Sequence, residues 1–155
     1  MWKCRLVPVL SLLLVSACDR EPEPSAPPDP CRGRLEQNAE QSSKLIALLE
    51  STPRGRSLLE RWSRRETLCF GDVRETGITP NGMIILDHQD NEAEGAARLG
   101  HLLVHAIEGL PMSDDRTIPC ETRIAHAITA EVRAHSTELE LRKALKVENP
   151  RRPYP

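Results

Sequence analysis

Residues 79–109 read TPNGMIILDHQDNEAEGAARLGHLLVHAIEG, and this stretch decides the fold class. Pro80-Asn81-Gly82 is a turn sequence, because Asn and Gly accept the positive φ that tight hairpins need. After it, Met83-Ile84-Ile85-Leu86 is an apolar run of strand length, and residues 68–79 before it carry the Gly spacing and β-branched content of a strand. Together they predict a β-hairpin. Asp90 or Asn91 can then cap a helix whose first turn holds Glu92 and Glu94, and Gly109-Leu110-Pro111 ends it.

Working outward, residues 32–50 place Leu35, Ala39, Leu45, Ile46, Leu48 and Leu49 at helical spacing, and Ser51-Thr52-Pro53 stops the run. A shorter helix over 54–65 gathers Leu58, Leu59 and Trp62 on one face. A long helix is predicted over 121–146. The order helix, helix, hairpin, helix, helix predicts one α+β domain over 31–146, mostly helical, with four helices packed on a small antiparallel sheet and a tail over 147–155.

The chain has 155 residues, 39% hydrophobic and 28% charged, which suits one folded domain and leaves no room for a second. Aromatic residues are only 3%, so the core must come from Leu, Ile, Val and Ala, which argues against a stacking platform for sugars or bases. Removing Lys3 and Arg5 with a leader would take the formal charge from −2 to −4, which argues against a nucleic-acid partner.

The N-terminus has three parts: a basic segment with Lys3 and Arg5, an apolar run over 6–15, and Ser16-Ala17 before Cys18. The run is too short for a permanent span. Val15-Ser16-Ala17-Cys18 resembles the lipobox of bacterial lipoproteins. That resemblance implies a signal peptide over 1–17, acylation of Cys18, and a protein held to a membrane of the cell envelope with its domain in the periplasm, inner or outer membrane left open. Residues 19–30 hold five prolines and form an extended spacer with a reach of roughly 37 Å at ~3.1 Å per residue.

With Cys4 in the leader and Cys18 acylated, Cys31, Cys69 and Cys120 remain for an oxidising compartment, enough for one bridge and one free thiol. A bridge from Cys69 to Cys120 is expected, closing the segment that holds the hairpin and the histidine helix, with Cys31 to Cys120 as the rival. Their spacing fits no zinc ribbon.

One constellation carries chemistry. His101 and His105 stand four apart, so on a helix their imidazoles leave the same face one turn apart, at the spacing with which two histidines grip one metal ion. Glu131 and His135 are also four apart, and Glu138 continues their stripe. A plainer reading exists beside it: Glu94, Arg98, His101, His105 and Glu108 follow steps of four, three, four and three, a polar stripe that faces water or another helix while Ala96, Leu99, Leu103, Ala106 and Ile107 pack. On that reading His135, Glu131 and Glu138 form a salt-bridged helix surface. His88 and His126 have no partner at metal spacing. No nucleophilic serine or cysteine motif and no phosphate-binding glycine loop is present.

A hairpin, a helix with two histidines four apart and a later helix offering a glutamate resemble the zincin metallopeptidases over residues 67–140. The resemblance implies zinc held by His101, His105 and Glu131, and a strand over 83–87 lying along a peptide substrate. This chain departs from the zincin pattern at Leu102, where the family has the glutamate that moves the proton of metal-bound water. The resemblance therefore implies a zincin-like domain without peptidase chemistry, a binding or structural module with a possible protein partner in the envelope. The alternative is a zinc-dependent peptidase or metal-binding protein in which another acid such as Glu108 activates water.

Overall fold

Apolar periodicity and capping chemistry set the helices of this protein, whose computed structural model describes residues 31, 33–63, 65–73, 76–109 and 117–147. The expected signal, Cys18, the 18–30 tether and all of the expected tail but Val147 lie outside the described residues. Helix α1 spans Ala39–Glu50, and the Asn38 side chain caps it by accepting from Gln41 N. It begins later than the 32–50 periodicity suggests, because the backbone of Glu36 is taken by an antiparallel bridge to Phe70. Helix α2 spans Pro53–Arg61, with Thr52 accepting from Gly55 N and Pro53 in the first turn, where its missing N–H costs nothing.

The sheet is three short strands: β1 Thr67–Gly71, β2 Gly77–Ile78 and β3 Met83–Asp87. The hairpin joins β2 to β3, with Gly82 at φ +80° in the turn as its sequence requires. The expected single strand over 68–79 is broken, and its first half crosses to the other side of β3. The order is therefore β1-β3-β2, with β1 parallel and β2 antiparallel to β3, a mixed sheet instead of the antiparallel one expected. This also corrects the substrate role implied for 83–87: β3 is central, paired along all five residues by β1 and at Ile84 and Ile85 by β2. Backbone groups already in a ladder cannot also pair with a peptide laid alongside.

Helix α3 spans Glu92–Glu108 and is capped by Asn91, whose side chain accepts from Glu94 N. Asp90, the other candidate cap, is instead 2.9 Å from Arg98 Nε. Gly109 ends the helix at φ +94°. Helix α4 spans Cys120–Ala144. α3 is the hub of the domain, packed on α1, α2, α4 and the sheet. Leu45, Leu49, Leu58, Phe70, Ile84, Leu86, Leu99, Leu103 and Leu141 make the core between them. These observations place the chain in the small α+β class, with four helices on a three-stranded mixed sheet among the described residues.

The disulfide joins Cys31 to Cys69, with Cα atoms 5.6 Å apart, and not Cys69 to Cys120 as expected. The cause is the same edge bridge: by running beside β1, the segment before α1 brings Cys31 to the strand that carries Cys69. Cys120 opens α4 as an exposed free thiol. The bond closes 38 residues of sequence, worth about 4 kcal/mol in the chain-entropy model.

Candidate metal centre

Helical spacing alone aims His101 and His105 from one face of α3, and the packing decides what that face meets. It meets α4. Gly100 makes this possible: a Cβ there would run into Leu141 Cδ1, so its absence lets the two helices approach closely one residue before His101. The polar stripe of α3 is thereby an interhelical seam. Glu94 is fully buried between Arg98 and Arg142, while His101 and His105 face Glu131, His135 and Glu138 of α4. Farther along, Glu108 pairs with Arg133 at 3.3 Å on the exposed rim.

At the centre of the seam, His105 Nε2 is 3.2 Å from His101 Nε2. The Glu131 carboxylate closes on both, Oε1 at 3.4 Å from His105 Nε2 and Oε2 at 3.6 Å from His101 Nε2. Glu131 Oε2 also faces His135 Nε2 at 3.8 Å. The ring of His135 lies edge-on to that of His101, with centroids 4.6 Å apart. Donor atoms of His101, Glu131 and His135 all stand within 4.8 Å of one another, a group able to hold a metal ion. His101, His105 and Glu131 of the expected site lie side by side, but the group whose donors could hold a metal ion is His101, Glu131 and His135, with His135 where His105 was expected. His135 shares with Glu131 the same four-residue step that pairs His101 with His105, so the signal for it lay in the sequence. Reading it as a ligand required knowing which face of α4 turns inward.

These separations have a chemical meaning. Two donors each ~2.0–2.1 Å from a tetrahedrally held zinc ion stand roughly 3.3 Å apart; the His101–His105 and His105–Glu131 separations of 3.2 and 3.4 Å lie near that value, and the Glu131–His135 separation of 3.8 Å is longer. Burial holds the His105 imidazole below the ordinary histidine pKa, with His101 and His135 adding to the shift and Glu131 opposing it. The ring is thereby kept neutral, the form that can ligate a metal. Behind the donors runs a chain of alternating charges. His101 Nδ1 is 3.2 Å from Glu138 Oε2, Glu138 Oε1 accepts from Arg142 Nε at 3.0 Å, and Arg142 reaches Glu94, which holds Arg98.

No family model matches the chain, and no curated protein or solved structure does either. Its chemistry is therefore read from its own residues. Leu102, the residue after the first histidine, is 4% exposed and packs in the core, pointing away from the seam. His88 and His126 are both exposed and, among the described residues, belong to no group able to hold a metal ion.

Proposed function

We propose that this chain is a metal-binding envelope protein that holds a zinc-class divalent ion between α3 and α4 and does no peptidase chemistry. His101, His105 and Glu131 are the ligands, and His135 is the fourth donor. The observation that carries the reading is the approach of the two imidazole Nε2 atoms to 3.2 Å beside one carboxylate. In their ligating forms both nitrogens present a lone pair to the same point, which the half-exposed Glu131 and His135 border. Such an arrangement is repulsive unless a cation, or a shared proton, lies between them.

Four protein donors fill a tetrahedron, the pattern of zinc sites that stabilise structure, whereas hydrolytic sites keep one position for water. Leu102 in place of a general base points the same way. A mixed sheet, a two-histidine helix and a glutamate helix in that order support a likeness to zincins at the level of architecture. The Cys31–Cys69 disulfide supports the oxidising compartment that the lipobox at Val15-Ser16-Ala17-Cys18 implies. In this reading acyl chains on Cys18 anchor the domain and the proline-rich spacer holds it off the bilayer.

Zinc added to the mature protein in detergent tests the proposal. At a thousandfold excess over the dissociation constant, binding stabilises by about 4 kcal/mol, a rise in melting temperature of roughly 10–15 °C. A chelator reverses the rise, His101→Ala and His105→Ala abolish it, and a peptide library is left uncut. A melting temperature indifferent to both zinc and chelator contradicts the proposal.

A further inference from the structure

A neutral imidazole carries one proton, and its position decides which nitrogen can bind a metal. For His101 to ligate through Nε2, the nitrogen that faces His105 and Glu131, the proton must sit on Nδ1. His101 Nδ1 is buried, and the Glu138 carboxylate stands 3.2 Å from it. The contact lacks hydrogen-bond geometry: among the described residues His101 Nδ1 is a buried nitrogen without a hydrogen-bond partner, and Glu138 is the acceptor that stands beside it. Glu138 also lies near His135 Nδ1, but at 3.9 Å, outside hydrogen-bond reach.

Glu138 is itself held in place. It is 4% exposed, and a buried carboxylate needs a positive partner, which Arg142 supplies through its Nε at 3.0 Å. Arg142, also buried, is fixed from its other side by Glu94, and Glu94 by Arg98, whose Nε meets Asp90 at 2.9 Å. One end of this chain of charges is anchored at the start of α3, and the other touches the back of His101.

We infer that Glu138 is the positioning residue of the metal centre: its carboxylate is the acceptor on which the otherwise unpartnered Nδ1–H of His101 closes, which fixes that tautomer and ring orientation and leaves Nε2 with its lone pair toward Glu131 and His105. The inference rests on the metal reading above and adds to it the group that prepares a ligand. With the proton on Nε2 instead, a lone pair on Nδ1 would face the carboxylate oxygen, and Nε2 would be blocked. Partners of this kind typically change metal affinity 10- to 100-fold.

The test uses the mature protein and Glu138→Gln, which keeps the volume and leaves an amide oxygen for Arg142 while turning an N–H₂ donor toward His101. Two readouts are taken: the His101 tautomer in the metal-free protein from imidazole ¹⁵N chemical shifts, and the zinc dissociation constant by competition with a chromophoric chelator. The expected result is Nδ1–H in the unsubstituted protein, a move to Nε2–H in Glu138→Gln, and zinc binding 10- to 100-fold weaker in the variant. If zinc binds the unsubstituted protein but its His101 carries the proton on Nε2, or if Glu138→Gln binds within twofold, the positioning role is overturned while the metal reading stands. If zinc does not bind the unsubstituted protein, the metal reading itself fails. Should Glu138→Gln not fold, the tautomer of the unsubstituted protein decides alone.

Discussion

Gly100 of α3 meets Leu141 of α4 where a Cβ would collide with the leucine Cδ1. This contact sets the spacing of the two helices beside His101 and Glu138, so the packing and the candidate metal centre share one constraint. Gly100→Val should force Leu141 aside or the helices apart, at a cost of about 1–3 kcal/mol. Zinc affinity should fall with it. Chemical denaturation and a zinc titration of the same variant check both effects, and a variant as stable and as tight-binding as the parent would refute the coupling.

Arg142 joins Glu94 and Glu138, both buried. Removing one partner of a buried ion pair leaves uncompensated charge, so Arg142→Ala should destabilise by about 3–5 kcal/mol. An exposed pair behaves differently: Arg133→Ala, which breaks the rim contact with Glu108, should change stability by at most about 1 kcal/mol. Urea unfolding of the two variants gives the contrast directly.

Acid should loosen the metal-free domain through His105. Burial places its folded pKa below the unfolded value of about 6.5, so as pH falls the unfolded chain takes up the proton first. This contribution to stability is therefore full above about pH 6.5 and is lost as pH drops from there toward the lowered folded value. Urea midpoints measured with chelator present should fall on acidification, and His105→Gln should flatten that slope. An equal slope in the variant would place the sensitivity elsewhere.

The thiols give an independent check on the fold. Cys120 is exposed and Cys31 and Cys69 are joined, so the native mature protein should react with one equivalent of maleimide at Cys120. Cys31→Ser should cost about 4 kcal/mol, the loop-closure value, whereas Cys120→Ser should leave stability unchanged. A mass map linking Cys69 to Cys120 would contradict the sheet-edge geometry.

How much of this was legible in the sequence depended on how local each signal was. Asn91 and Gly109 bound the histidine helix in sequence and in structure alike, because caps act within one turn. The turn at Asn81-Gly82 likewise marks a hairpin that the structure contains. What the residues did not reveal were choices made between distant segments. The passage of β1 to the far side of β3, and the bridge of Glu36 to Phe70 that draws Cys31 to Cys69, are long-range pairings with no local pattern. The candidate site shows the same division. The steps from His101 to His105 and from Glu131 to His135 are visible in the chain, but that Glu138 faces His101 follows only from the close crossing of α3 and α4. The stripe on α3 was equally a surface feature until the second helix was in place.

A metal ion held between α3 and α4 by imidazoles and a carboxylate has a distinct signature in X-ray absorption at the zinc edge, recorded on the mature protein loaded with one equivalent. The expected spectrum has a first shell of nitrogen and oxygen at ~2.0–2.1 Å with the outer-shell scattering of two or more imidazoles, reduced by one ring in His101→Ala. A spectrum without imidazole scattering, or one that His101→Ala leaves unchanged, would contradict this arrangement.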